Sequence, residues 1–121
     1  MEIVLTGVID FSALRERFAA DCEVERQGKP GVVESRLARA LDAIGWRSAG
    51  GESSGQVAIL ARHIVASCVA GHHDPRRAAR ELAGLLRSAS AGLDGGLPAP
   101  SAFVPAAEDV LRRYAGTGSA T

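Results

Sequence analysis

Two sets of side chains in this 121-residue chain carry types and spacings that could do chemistry. The first is His63, Cys68, His72, His73 and Asp74, with Cys22 as a further thiol, which together offer the nitrogen, sulfur and oxygen donors that zinc takes. A zinc site needs four such donors on one tetrahedral point. Cys68 and His72 are four apart and share a helical face if the helix reaches that far, but His63 falls on the opposite side. Neither C-x-x-C nor H-E-x-x-H occurs. Cys68 is therefore read as core and the two adjacent histidines as turn residues, with no metal or cofactor expected. The second set is basic: Arg76, Arg77 and Arg80 follow His72 and His73 in the first turns of a helix, and Arg87 extends the same surface. Guanidinium groups form bidentate contacts with carboxylates and phosphates, so His72, His73, Arg76, Arg77, Arg80 and Arg87 form the candidate interaction site. Arginines sit unfavourably at the positive end of a helix dipole, which points mildly to a function. No residue is assigned a catalytic role.

Gly51-Glu52-Ser53-Ser54-Gly55 fits G-x-S-x-G and resembles the nucleophile elbow of α/β-hydrolases over those five residues. That elbow works because a strand of a parallel sheet feeds a strained turn that lifts the serine. Here a helix and a Ser/Gly loop come first, and Ser53 with Gln56 instead fits the S-x-x-Q capping box of a helix start. The same loop could offer backbone N–H groups to a phosphate, but Glu52 repels one and no lysine follows the glycines. The helix before Gly71, a tight turn and the basic helix together resemble a helix-turn-helix, which implies a second helix entering a DNA groove through its arginines.

Those side chains must be positioned by a small scaffold. Fourteen basic residues balance fourteen acidic ones, so no global field draws the chain to nucleic acid or an anionic membrane. Thirteen of the basic residues are arginine, an excess that GC-rich coding also produces. Hydrophobic residues are 46% and aromatics 4%, a core of Leu, Val, Ile and Ala that favours packed helices over a sheet. No apolar run reaches membrane-spanning length, and the N-terminus has no basic leader segment, so a cytoplasmic protein with free thiols at Cys22 and Cys68 is expected.

The organising element is the stretch 53–71. Val57, Leu60, Ala61, Ile64, Val65 and Cys68 recur at helical spacing, Ile59 and Val69 widen the face, and Arg62, His63 and Ser67 are left as a polar strip. Gly71 is placed to close this helix. Residues 2–9 read as an extended arm or strand with no legible partner, so pairing with its copy in a homodimer is one expectation. A first helix follows Asp10 or Ser12, with Phe11, Leu14, Phe18 and Cys22 inward and Arg15, Glu16, Arg17 and Asp21 outward. A second runs from about Pro30 to Ile44, with Glu34, Arg36, Arg39 and Asp42 on its wet face, then a Gly45 stop and Trp46 as a structural plug. The loop 47–55 is read as flexible. Asp74 and Pro75 open the basic helix, which buries Ala78, Ala79, Leu82, Leu85 and Leu86. A linker at 88–101 precedes a last helix near Pro105, with Tyr114 inward and Glu108–Arg112 and Asp109–Arg113 as pairs. Residues 116–121 are read as a disordered tail.

The sequence thus predicts an all-α, compact bundle of about five helices with a short N-terminal extended arm, in a single helical domain over 1–115. Its size and helical content resemble the small adaptor modules that bacteria attach to larger effectors. The function expected is a non-enzymatic protein-interaction module, adaptor or assembly, that presents a helical face to a partner protein. A small DNA-binding regulator using the basic helix is the alternative, and a small-ligand or metal-binding helical protein the second alternative.

Overall fold

Polar caps and glycine stops divide the chain into five helices in the computed structural model, which describes residues 10–50, 54–72, 74–93 and 99–116. Helix α1 (Phe11–Arg26) starts at Asp10, whose Oδ1 accepts the Ala13 N–H at 3.1 Å. Helix α2 (Val32–Ala43) follows Gly31, which has no side chain to cap it. A two-residue strand β1 (Arg47–Ser48) leads to α3 (Ser54–Val69). Helix α4 (Pro75–Ser88) is capped by Asp74, whose Oδ1 accepts the Arg77 N–H at 2.7 Å, and its first position holds a proline whose missing N–H had no partner to lose. Strand β2 (Ser90–Gly92) and a 3-10 turn (Pro100–Ala102) precede α5 (Phe103–Ala115).

Gly45 and Gly71 take left-handed φ of 76° and 89°, as their predicted role as helix stops requires. The turn lets the Trp46 N–H reach Leu41 O at 3.2 Å and the His72 N–H reach Ser67 O at 3.0 Å, satisfying last-turn carbonyls of α2 and α3. Trp46 is the expected plug. It is buried, and its Nε1–H donates to Leu86 O at 3.2 Å, so the end of α2 is pinned to the end of α4.

The helices enclose one aliphatic core, with Leu14 from α1, Leu37 and Leu41 from α2, Val65 from α3, Leu82 and Leu86 from α4, and Leu111 and Tyr114 from α5 all fully buried. Helix α3 lies between α2 and α4, and α5 lies against α1, α2 and α4. The class is all-α, as composition implied.

Several expectations need correction. The loop 47–55 and the linker 88–101 were expected to be irregular; instead β1 and β2 pair antiparallel, Arg47 with Gly92 and Ser48 with Ser90, with a bulge between and Ala49 N–H donating to Ala89 O at 2.8 Å. Two or three residues of Arg, Ser, Ala and Gly carry no strand signal, because long-range pairing, not propensity, makes them extended. The last helix starts at Phe103 rather than near Pro105, since the 3-10 turn already sets its entry. The 2–9 arm and its pairing in a homodimer, the Ser53 cap and residues 117–121 of the expected 116–121 tail lie outside the described residues, whereas Gly116 is the left-handed cap of α5.

Gly84 stands in the middle of α4 on its exposed side, outside the left-handed region, and a Cβ there would meet nothing within 4 Å. Gly84→Ala should therefore raise stability by about 0.5–1 kcal/mol, since glycine loses more chain entropy on entering a helix. Thermal melts followed by circular dichroism should show Tm rising by about 2–5 °C; an unchanged or lower Tm would mean that Gly84 has a packing role.

Candidate interaction surface

The helices are joined by two polar networks, and these decide which surfaces stay available. Asp21, expected on the outer face of α1, is 2% exposed. Its Oδ2 accepts Arg36 Nε–H at 2.8 Å and the Tyr114 hydroxyl at 3.1 Å, and its Oδ1 accepts Arg36 Nη2 at 3.2 Å. The physical reason is spacing: Asp21 is seven residues after Leu14, two helical turns on the same face. Burial, then the Asp21 charge and the hydrogen bond to it, push the Tyr114 hydroxyl well above its ordinary pKa, so it stays a donor.

Arg62 corrects the second expectation. Instead of lying in a polar strip it turns between α1 and α2, with Nη2 on Glu25 Oε1 at 2.6 Å and Nη1 on Glu34 Oε1 and Oε2 at 2.9 Å. Glu34 and Arg36, expected on the wet face of α2, are both half-buried ion-pair partners, because they flank its apolar stripe and face α3 and α1 respectively. Glu25 Oε2 also accepts the Val33 N–H at 3.1 Å, supplying from α1 the cap that Gly31 cannot give α2. The Arg62 hydrogen bond, with further help from the α2 backbone, outweighs desolvation and holds the Glu25 carboxyl down at about 2.

With Arg62 turned inward, α3 buries Val57, Ala58, Ala61, Val65 and Cys68. Leu60 and Ile59, expected in the core, are instead 53% and 51% exposed. Between and beside them lie Gln56 and His63, both exposed, so the outward stripe of α3 holds no Asp, Glu, Lys or Arg. Ile59 forms a ridge between two shallow troughs. One, of about 460 Å³, runs from Leu60 to Ser88 and Ala89; the other, of about 800 Å³, runs to Pro30, Gly31 and the Glu25–Arg62–Glu34 cluster. The surplus was visible in the run from Val57 to Ala61, which is more continuous apolar sequence than one side of a helix can bury.

The predicted basic face is present as a surface. Arg76, Arg77, Arg80 and Arg87 are all exposed on α4, and His72 is exposed in the turn before it, while His73 lies outside the described residues. Arg77 pairs with Glu81 at 3.4 Å. On α5, Asp109 pairs with Arg113 at 3.2 Å as expected, but Arg112 turns to Asp109 at 3.2 Å instead of Glu108.

The candidate metal donors are not brought together: Cys68 is buried, His63 and His72 are exposed, and among the described residues no three His, Cys, Asp or Glu side chains are grouped to hold an ion. Burial pushes the Cys68 and Cys22 thiols up, away from the reactive thiolate. The elbow-like Ser53 lies outside the described residues, among which the only sheet is the antiparallel β1–β2 pair and none of the helices is long and apolar enough to cross a membrane. No protein-family model, curated protein or solved structure matches the chain.

Two measurements test the networks. Arg36→Met should cost about 2–3 kcal/mol in chemical denaturation by leaving Asp21 buried without its cation, and adding Asp21→Asn should recover most of that loss; equal costs in both backgrounds would show that the pair is not coupled. Glu25 has a folded pKa below its ordinary 4.5, so its ionised form adds stability above pH 4.5 that is lost as pH falls toward about 2. Glu25→Gln should be less stable than the parent by about 1–2 kcal/mol at pH 7, allowing for solvent screening, and the gap should close by pH 2. A constant gap from pH 7 to pH 2 would remove Glu25 as a source of the acid sensitivity.

Proposed function

We propose that this chain is a non-enzymatic protein-interaction module that docks an amphipathic helix of a partner protein on the outward stripe of α3. The observation that carries this reading is the pair Ile59 and Leu60, each half-exposed and adjacent, on a helix whose other side is part of the core. Covering the exposed half of each would contribute about 1–1.5 kcal/mol. The outward stripe of α3 itself carries no charged residue, and the charged groups that border the wider trough, Arg62 with Glu25 and Glu34, are already paired with one another. A ridge between two troughs is a surface against which an apolar helical face can pack, by the same side-chain interlocking that joins helices inside a domain. A partner helix that reads this stripe should itself be apolar and poor in charge along its contact face, because an unpaired charge buried there would have no counter-ion.

The test is capture by the tagged full chain from its own cells, with nuclease treatment, compared between the parent and Ile59→Ser/Leu60→Ser. Both positions are exposed enough that the variant should melt within a few degrees of the parent. A stoichiometric partner retained after nuclease and lost with the double variant is the expected result. Should the parent instead be dimeric by light scattering and the variant monomeric, the occupant is a second copy of the chain, and the reading of a separate partner fails.

A further inference from the structure

Helix α4 carries a second surface, and its chemistry differs from that of α3. Arg80 and Arg87 stand seven residues apart on one stripe, about 10.5 Å along the axis. Both are exposed, and among the described residues neither makes an ion pair or hydrogen bond, unlike Arg77, Arg112 and Arg113. The residues between them on that side are Ala83 and Gly84, so the two guanidiniums bracket a gap with almost no side chain in it. The gap continues into a cleft of about 220 Å³, walled by Phe103 and Val104 at the start of α5. Val104 is 36% exposed, a third large aliphatic left in contact with water. The floor is open because residue 84 is glycine. Neither backbone conformation nor crowding requires a glycine there, and glycine is among the least favourable residues inside a helix.

We infer that this cleft binds an acidic protein segment in which two carboxylates bracket one aliphatic side chain. Arg80 and Arg87 take the carboxylates and the open floor over Gly84, against Val104, takes the aliphatic group. An extended chain advances about 3.3 Å per residue and alternates its side chains, so acidic residues four apart, about 13 Å, share one face with the residue midway between them and reach both arginines through the length of their own and the arginine side chains. The cleft is smaller than the pockets that hold drug-sized ligands or cofactors and suits a single side chain. Guanidinium charge suits carboxylate and phosphate alike, so the lining of the cleft decides in favour of a carboxylate-bearing segment. A nucleic-acid strand needs a continuous basic track or exposed aromatics for stacking, whereas here the aromatic wall, Phe103, is buried and the floor between the arginines is apolar. The inference does not depend on the α3 docking stripe, since the two surfaces share no residue.

A phage-displayed library of random peptides selected on the full chain, followed by titration of the enriched peptide made synthetically, tests it. Enriched sequences should carry two Glu or Asp four apart with Leu, Ile or Val midway between them. Affinity should fall at least tenfold with Arg80→Ala/Arg87→Ala and at least tenfold with Gly84→Leu, whose Cβ meets nothing within 4 Å and whose branched end fills the floor, and it should weaken as salt is raised. Ile59→Ser/Leu60→Ser should leave it unchanged. Peptides without acidic residues, no enrichment at all, or binding indifferent to the arginine and Gly84 variants would each overturn the inference. If binding responds only to the α3 variant, the α4 inference fails while the α3 reading stands. Tighter binding of a duplex DNA probe that is lost with the arginines but kept by Gly84→Leu would make this face a nucleic-acid surface and also overturn it.

Discussion

A carboxylate buried to 2% exposure is the constraint on which the arrangement of helices depends. An unpaired charge at that depth would cost several kcal/mol, so Asp21 dictates that Arg36 of α2 and the hydroxyl of Tyr114 of α5 come to it. Three helices are thereby fixed at one point by groups that are directional, in a core otherwise made of aliphatic side chains that are not. Aliphatic packing would tolerate sliding of α1 along the bundle; the Asp21 hydrogen bonds at 2.8 to 3.2 Å would not. The stabilisation gained is modest, but the register is specified.

The second network follows from the first. With α1 held in register, Glu25 lies one turn beyond Asp21 and meets the start of α2, where Gly31 leaves the backbone N–H groups without a side-chain cap. A carboxylate there is stabilised by the positive end of the helix, and it in turn draws Arg62 across from α3. Arg62 thereby becomes the connection among α1, α2 and α3, and its departure from the outer face of α3 is what leaves that face uncharged. The exposure of Ile59 and Leu60 is thus a consequence of where the ion pairs lie.

Much of the fold was legible in the residues. Asp10, Asp74 with Pro75, Gly45 and Gly71 mark helix ends through local chemistry that acts within a few residues, and their roles were read correctly. The aliphatic periodicities gave the helices and most of the core. What was not legible depended on neighbours distant in sequence. Asp21 and Glu25 were readable as stripe residues, each seven after Leu14 or Phe18, but a carboxylate on an apolar stripe makes sense only once Arg36 and Arg62 are known to face it. The strands β1 and β2 exist because the ends of α2 and α4 are held side by side by Trp46, a pairing across about forty residues that composition does not record. At the interaction surfaces, the arginines of α4 were found by type alone. Ile59 and Leu60 were missed because hydrophobicity was equated with burial, although one helix face accommodates only part of so continuous an apolar run.

The two outer faces differ for a reason that lies in the distribution of charge. The chain has equal numbers of acidic and basic residues, yet the pairs that join one helix to another use carboxylates of α1 and α2 against arginines of α2 and α3. Helix α4 contributes no arginine to those pairs and has one acidic residue of its own, Glu81, set against Arg77. Its remaining exposed arginines therefore project into solvent without a counter-ion among the described residues, while α3, whose only arginine is consumed inside, projects aliphatic groups. Neighbouring helices of one small bundle thus carry an uncharged stripe and a cationic one. A ligand that suits one is penalised at the other, by desolvation of its carboxylates on α3 or by unmatched arginines on α4, so the two faces can select different ligands without any change in the fold.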